Sequence, residues 1–178
     1  MKYSKTLALC GSTRKNSTNL NLIKAVADLA EDKFEIILFE NLSTIPHFNP
    51  DLDNDNPPQA VIDFRKQLKE AHGILICTPE YAMGVPGTLK NAIDWTVSSM
   101  EFSKKPTVLI TASSMGEKGH ASLLETLKVI EADITDETQL LISFAKTKVS
   151  QDFRITDSKT LSEVNALLNA FFAKLQLK

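Results

Sequence analysis

Residues 73–95 read Gly73-Ile74-Leu75-Ile76-Cys77-Thr78-Pro79-Glu80-Tyr81-Ala82-Met83-Gly84-Val85-Pro86-Gly87-Thr88-Leu89-Lys90-Asn91-Ala92-Ile93-Asp94-Trp95. Ile74 to Cys77 is a short unbroken apolar run, the pattern of a strand buried on both faces. From Gly87 the apolar residues Leu89, Ala92, Ile93 and Trp95 recur at helical spacing, which predicts a helix from Gly87 to about Ser98. Pro86 stands where a first-turn proline is tolerated. Between strand and helix, two prolines bracket an aromatic residue and a glycine, so the connection is stiff. This strand–loop–helix unit belongs to an alternating α/β chain.

The same alternation extends both ways. Upstream, Thr6 to Cys10 reads as a strand and Thr18 to Glu31 as a helix carrying Leu22, Ile23, Val26 and Leu29. Phe34 to Phe39 is a second strand rich in β-branched and aromatic residues. Asn41 to Pro58 is a long polar loop, and a helix follows it up to Gly73. Downstream come a strand at Thr107–Ala112, a helix from Ser122 to Glu131, a strand from Thr138 to Phe144 and a closing helix from Thr160 to Leu177. Five strands alternating with five helices call for one parallel sheet covered on both faces. Right-handed crossovers leave few topologies, and five strands fit the flavodoxin-like three-layer sandwich with sheet order 2-1-3-4-5. No repeat or linker interrupts residues 1–178, so one domain is expected.

Composition narrows the function classes. With 20 basic and 22 acidic residues the net charge is −2, which gives no electrostatic case for nucleic acid or an anionic membrane. No apolar run approaches the roughly 20 residues that span a bilayer. The start, Met1 to Cys10, is too short an apolar stretch for a signal peptide and has no small-residue cleavage site. The two cysteines, Cys10 and Cys77, lack metal-ligand spacing, and cytoplasm is the expected location. They end neighbouring strands, where buried apolar roles outweigh a redox pair.

In such sheets the ligand lies beyond the carboxyl ends of the strands, where strand order reverses. That juxtaposes three loops: Gly11–Asn19, Thr78–Pro86 and Ser113–Gly119. The first offers the side chains of Ser12, Thr13, Ser17, Thr18 and Asn19, the unpaired N–H groups of a helix start, and the guanidinium of Arg14. It has neither a Walker lysine nor the glycine spacing of a dinucleotide site, so a terminal monophosphate fits it best. The plainer alternative is a helix cap at Ser17 or Thr18 beside a solvated Arg14. In the second loop, backbone N–H groups and the surfaces of Tyr81 and Met83 suit a flat ring with carbonyls on one edge; the alternative is a turn that only launches a helix. In the third, Ser113, Ser114 and Gly116 supply hydroxyls and room for close approach.

Two motifs, Gly-Ser-x-Arg-x-x-Ser-x-Asn from Gly11 and Pro-Glu-Tyr-x-x-x-x-Pro-Gly-x-Leu-Lys-Asn-Ala-Ile-Asp-Trp from Pro79, resemble the NAD(P)H-dependent FMN reductases, a group that includes quinone and chromate reductases and azoreductases. The resemblance implies an FMN cofactor, with NADPH or NADH as co-substrate and a small-molecule electron acceptor such as a quinone, azo or nitro compound, free flavin or oxidised metal species. It implies ping-pong turnover and a homodimer or homotetramer. It also assigns Ser12, Arg14, Ser17 and Asn19 to the FMN phosphate, Pro79, Glu80, Tyr81, Ala82, Met83 and Gly84 to the isoalloxazine, and Ser113, Ser114 and Gly116 to its rim. This chain departs from the pattern at Ala82, where an asparagine is usual, and at Gly119-His120, where a second glycine and a nearby arginine are usual.

The cofactor carries the hard chemistry in such a protein, so no side chain is singled out as catalytic acid or base. A surface role is expected for His120. Trp95, Phe171 and Phe172 are expected in the core or in a subunit interface. Asp51, Asp53 and Asp55 lack the glycine and terminal glutamate of a calcium loop. The competing readings are an FMN electron carrier that does not oxidise NAD(P)H and a phosphate-binding regulatory protein without redox chemistry.

Overall fold

The computed structural model describes residues 4–177; Met1–Tyr3, part of the start read above against a signal peptide, lie outside the described residues. Five strands, β1 (Lys5–Cys10), β2 (Glu35–Leu38), β3 (Gly73–Thr78), β4 (Thr107–Ala112) and β5 (Gln139–Ile142), form one parallel sheet in the order 2-1-3-4-5. Helices α1 (Thr18–Ala30), α2 (Gln59–Glu70), α3 (Gly87–Asp94), α4 (Glu117–Val129) and α5 (Ser158–Gln176) connect and close it. No described helix is long and apolar enough to cross a membrane.

Period-two alternation distributes each strand between two cores. Leu7, Leu9, Ile74, Ile76 and Leu109 point to the side packed by Phe64 and Leu68 of α2, Leu89 and Ile93 of α3, and Leu123 and Leu127 of α4. Ala8, Leu75, Cys77, Val108 and Ile110 point to the other side, against Leu22 and Val26 of α1 and Val164, Leu168 and Phe171 of α5. The ring of Phe171 meets Phe34 edge-on at 5.2 Å, which places this aromatic in the core. Every residue of β3 and β4 is buried, as central strands require, while β2 and β5 at the edges are partly exposed.

Most boundaries fall within a residue or two of the sequence reading, and three differences bear on the site and its surroundings. Helix α3 ends at Asp94 rather than Ser98, because the Trp95 carbonyl turns aside to accept from the Arg65 guanidinium. Helix α4 begins at Glu117 rather than Ser122, so Glu117, Lys118 and Gly119 form its first turn and the preceding loop ends at Gly116. Strand β5 is confined to residues 139–142, since Phe144 adopts a left-handed backbone with φ 55°.

The long loop after β2 is ordered by two short helical turns, Leu42–Thr44 and Pro50–Leu52, and by side chains of α2 and α3. Asn91 accepts from the Phe48 N–H at 2.7 Å and donates to the Pro46 carbonyl at 3.0 Å, and the Trp95 indole donates to the same carbonyl at 2.8 Å. Asp53 binds Arg65 at 2.7 Å and accepts from Ser98 at 2.7 Å, with the ion pair's side chains each only 11% exposed. Asp53 is thus a partner for an arginine.

Candidate cofactor site

One cavity of about 280 Å³ opens at the carboxyl ends of β1, β3 and β4. It is lined by Ser12, Arg14, Ser17, Thr18, Asn19, Pro79, Glu80, Tyr81, Ser113 and Ser114, joined by Ala112, Phe144, Ala145, Lys146 and Thr147. The three loops predicted to converge therefore do so. Of the predicted site residues, Ala82, Met83, Gly84 and Gly116 lie outside this wall. The volume is at the lower edge of the range for small-molecule pockets, about 300–1,000 Å³. A ligand here stays open to solvent on one side, as a redox cofactor serving two successive partners requires.

The first loop is held from below. Ser17 caps α1, its hydroxyl accepting the Asn19 N–H at 3.2 Å, so the capping alternative for this residue is correct. Asn19 is buried, and both ends of its amide have a partner: Nδ2 donates to the Ala112 carbonyl at 3.1 Å and Oδ1 accepts the Cys77 thiol at 3.3 Å. It ties the loop to β3 and β4. Arg14 is exposed, with no ion-pair partner for its guanidinium among the described residues. The groups free to meet an anion are thus Arg14, the Ser12 and Thr18 hydroxyls and the N–H groups opening α1.

The second loop is a tight hairpin. Tyr81 and Gly84 exchange two backbone hydrogen bonds, each 2.9 Å, across Ala82 and Met83, which have φ 50° and 62°. Two consecutive left-handed residues define a type I′ turn, ordinarily the place for asparagine and glycine. The turn projects Tyr81 and Met83 outward, 47% and 75% exposed. Glu80 turns away from the tip: its N–H donates to the Ser113 hydroxyl at 3.3 Å and its carboxylate accepts the Gly119 N–H at 2.6 Å.

That carboxylate supplies the cap α4 lacks, because Gly116, at φ 109°, has no side chain to give. A negative charge at a helix start is also favoured by the helix dipole. The hairpin and α4 are so close that a Cβ on Gly119 would stand 2.7 Å from the Gly84 carbonyl oxygen.

His120 corrects its surface reading. It lies one turn into α4, where Nδ1 meets the Thr111 hydroxyl at 2.9 Å and Nε2 meets the Gln139 carboxamide oxygen at 3.0 Å. The imidazole bridges β4 and β5 and is not among the residues lining the cavity. Cys10 and Cys77 are in-register neighbours on β1 and β3 and are both free thiols. Burial pushes the pKa of Cys10 up, against a smaller downward pull from its bond to the Ser12 carbonyl. Burial, then the neighbouring Cys10, raises that of Cys77 well above the usual thiol value. Both shifts favour the thiol over the reactive thiolate at neutral pH.

Sequence reasoning missed the segment after β5. Ser113 N–H donates to the Ile142 carbonyl, Phe144 N–H to Ser114 and Ala145 N–H to Ser113, all within 3.1 Å, and the Ser143 hydroxyl donates to the Met115 carbonyl at 3.0 Å. These bonds fasten residues 143–147 to the third loop and bring Phe144 and Lys146 into the cavity wall. No glycine, proline or motif in that stretch signals it.

A flavodoxin-like sheet with an open cavity where the strand order reverses defines the class: a doubly wound α/β protein with a ligand-sized site at the carboxyl ends of its strands. Comparison with known proteins narrows it. Residues 4–146 match the model of the NADPH-dependent FMN reductase family. A quinone reductase of Escherichia coli K12 is 32% identical over 173 residues, spanning 93% of this chain and 92% of the relative. An NAD(P)H-dependent FMN reductase of Pseudomonas aeruginosa is 33% identical over 172 residues, with 93% and 92% covered. The solved flavoenzyme NAD(P)H:(acceptor) oxidoreductase FerB of Paracoccus denitrificans superimposes with a TM-score of 0.84 at 26% identity, covering 98% of each chain. The chain belongs to the NADPH-dependent FMN reductase family and is an NAD(P)H-dependent FMN oxidoreductase.

Proposed function

We propose that residues 1–178 act as one FMN-binding domain that reduces quinones and comparable small acceptors with NADH or NADPH, using the cavity at the ends of β1, β3 and β4. The observation that carries this is the convergence of Arg14, Ser12 and Thr18 with Pro79, Tyr81 at the base of the hairpin, and the Ser113–Ser114 edge around one open cavity. The unpaired Arg14 and the α1 start suit a phosphate monoester. Tyr81 offers apolar surface to a flat ring, and Ser113 and Ser114 bound its rim. Ser17, Asn19 and Glu80 act indirectly, holding the loops that carry these groups.

FMN held here would supply the redox chemistry, two-electron reduction by hydride from a reduced nicotinamide and reoxidation by the acceptor. The protein's part is to fix orientation, leave one face accessible and place N–H dipoles near the developing negative charge. The relatives named as quinone reductases support the choice of acceptor class. Phe48, Leu52, Val97 and Met100 are exposed around the end of α3 and support a homodimer through that face. The proposal includes a cytoplasmic location, since two cysteines without the spacing of a disulfide framework suit a reducing compartment.

Initial rates of NADH or NADPH oxidation, measured while nucleotide and a benzoquinone are both varied, test the reading. Parallel double-reciprocal lines are expected. Intersecting lines count against alternate occupation of one face, and bound flavin without NAD(P)H oxidation would make the protein an electron carrier.

A further inference from the structure

The turn from Ser143 to Thr147 is unlike an ordinary surface loop in three respects. Its backbone is welded to the third loop by the hydrogen bonds of Phe144, Ala145 and Ser143 to Ser114, Ser113 and Met115. It holds Phe144 in the left-handed region at φ 55°, which costs energy for a residue with a Cβ, and leaves the ring 65% exposed in the cavity wall. It also brings Lys146 to the cavity that Arg14 lines, and neither cation has a carboxylate within ion-pair distance among the described residues.

Two unpaired cations facing one cavity repel each other unless an anion lies between them. Other exposed cations of the chain, Lys15 and Lys118 among them, also stand without an ion pair among the described residues; what distinguishes Arg14 and Lys146 is that both line the same cavity. A phosphate monoester carries about −1.5 to −2 charges at neutral pH, so one arginine leaves it undercompensated. We propose that the Ser143–Thr147 turn is a fourth cofactor-binding segment in which Lys146 provides the second positive charge for the phosphate of FMN. The proposal rests on the cavity being the FMN site, and it adds a residue that lies at the end of an edge strand, outside the three motif loops. Lys146 discriminates FMN from riboflavin, which has the same ring and ribityl chain without the phosphate.

Equilibrium dialysis of the full chain against FMN and, separately, against riboflavin tests it. Lys146→Met keeps the stem and removes the charge; the side chain is exposed, so the fold is undisturbed. FMN affinity should fall about tenfold, the order of one partly exposed charge-assisted contact, with riboflavin affinity unchanged. Lys146→Arg should restore FMN binding to within a few-fold. FMN affinity unaltered in Lys146→Met, or an equal loss for both ligands, overturns the assignment while leaving the FMN site in place. A wild-type chain that binds riboflavin and FMN equally, or neither, overturns the site and the proposal together.

Discussion

Gly119 and Gly87 both sit in the first turn of a helix, yet replacing each by alanine should move stability in opposite directions. At Gly119 a Cβ would lie 2.7 Å from the Gly84 carbonyl oxygen and 3.0 Å from Glu80 Cγ, where ordinary contact begins at 3.4 Å. The hairpin must therefore retreat by 3.4 − 2.7 = 0.7 Å. The Gly84 oxygen cannot yield alone, because it accepts the Tyr81 N–H. Retreat stretches the 2.6 Å bond from Gly119 N–H to Glu80 that caps α4. Overpacking costs about 1–3 kcal/mol and a lost cap about 1, against a helical gain for alanine of up to about 1. The net loss is about 1–3 kcal/mol, a fall in Tm of about 3–9 °C for a chain this long. At Gly87 nothing lies within 4 Å of the added carbon, and alanine should stabilise by about 0.4–1 kcal/mol. Urea unfolding of the flavin-free chain, followed by circular dichroism with the slope m checked for constancy, separates the two. Gly119→Ala as stable as wild type, or both variants shifting together, would refute the packing of hairpin against α4.

Ala82→Gly should stabilise the chain by about 0.5–1 kcal/mol, since relief of left-handed strain at φ 50° exceeds the added chain entropy; a lower urea midpoint would show the turn is not type I′. At Asp53, burial raises the carboxyl pKa, but hydrogen bonds from Arg65 and Ser98 outweigh it and hold the group below its usual value. Its stabilisation is therefore complete above the unfolded pKa near 3.9 and is lost as pH falls through the lower folded value. Asp53→Asn should cost about 1 kcal/mol at pH 7, and the gap to wild type should close on acidification below about pH 4; a pH-independent gap would falsify the ion pair's role. Cys77 should react slowly with a thiol reagent at pH 7 in the folded chain, more slowly than the partly exposed Cys10, and both completely in denaturant; two rapid equivalents in the native state would contradict the burial of Cys77.

The sheet was legible because β1, β3 and β4 are continuous apolar runs and the connections between them carry helical spacing. Ser12, Arg14, Tyr81 and Ser113 could be brought together on paper, since topology alone places the ends of those strands side by side. What stayed hidden depends on long-range partners. The start of α4 reads as loop because Gly116 and Gly119 flank it, and its cap, Glu80, comes from 39 residues upstream. Asn91 and Trp95 belong to the same motif as Glu80, yet they clamp the 45–48 segment and leave the cavity wall to Pro79, Glu80 and Tyr81. Asn19 likewise carries a motif position while its amide is spent on Ala112 and Cys77. Phe144 and Lys146 enter the cavity through an edge strand whose loop has no local signature.

The central claim, that this cavity holds FMN reducible by nicotinamide, is tested most directly by the visible spectrum. FMN is added to the purified chain and the unbound flavin removed, and NADPH or NADH is then mixed in without oxygen. The account predicts a protein-bound flavin spectrum that bleaches on mixing with at least one of the two nucleotides. A chain that retains no flavin, or one whose bound flavin stays oxidised with both, would contradict it.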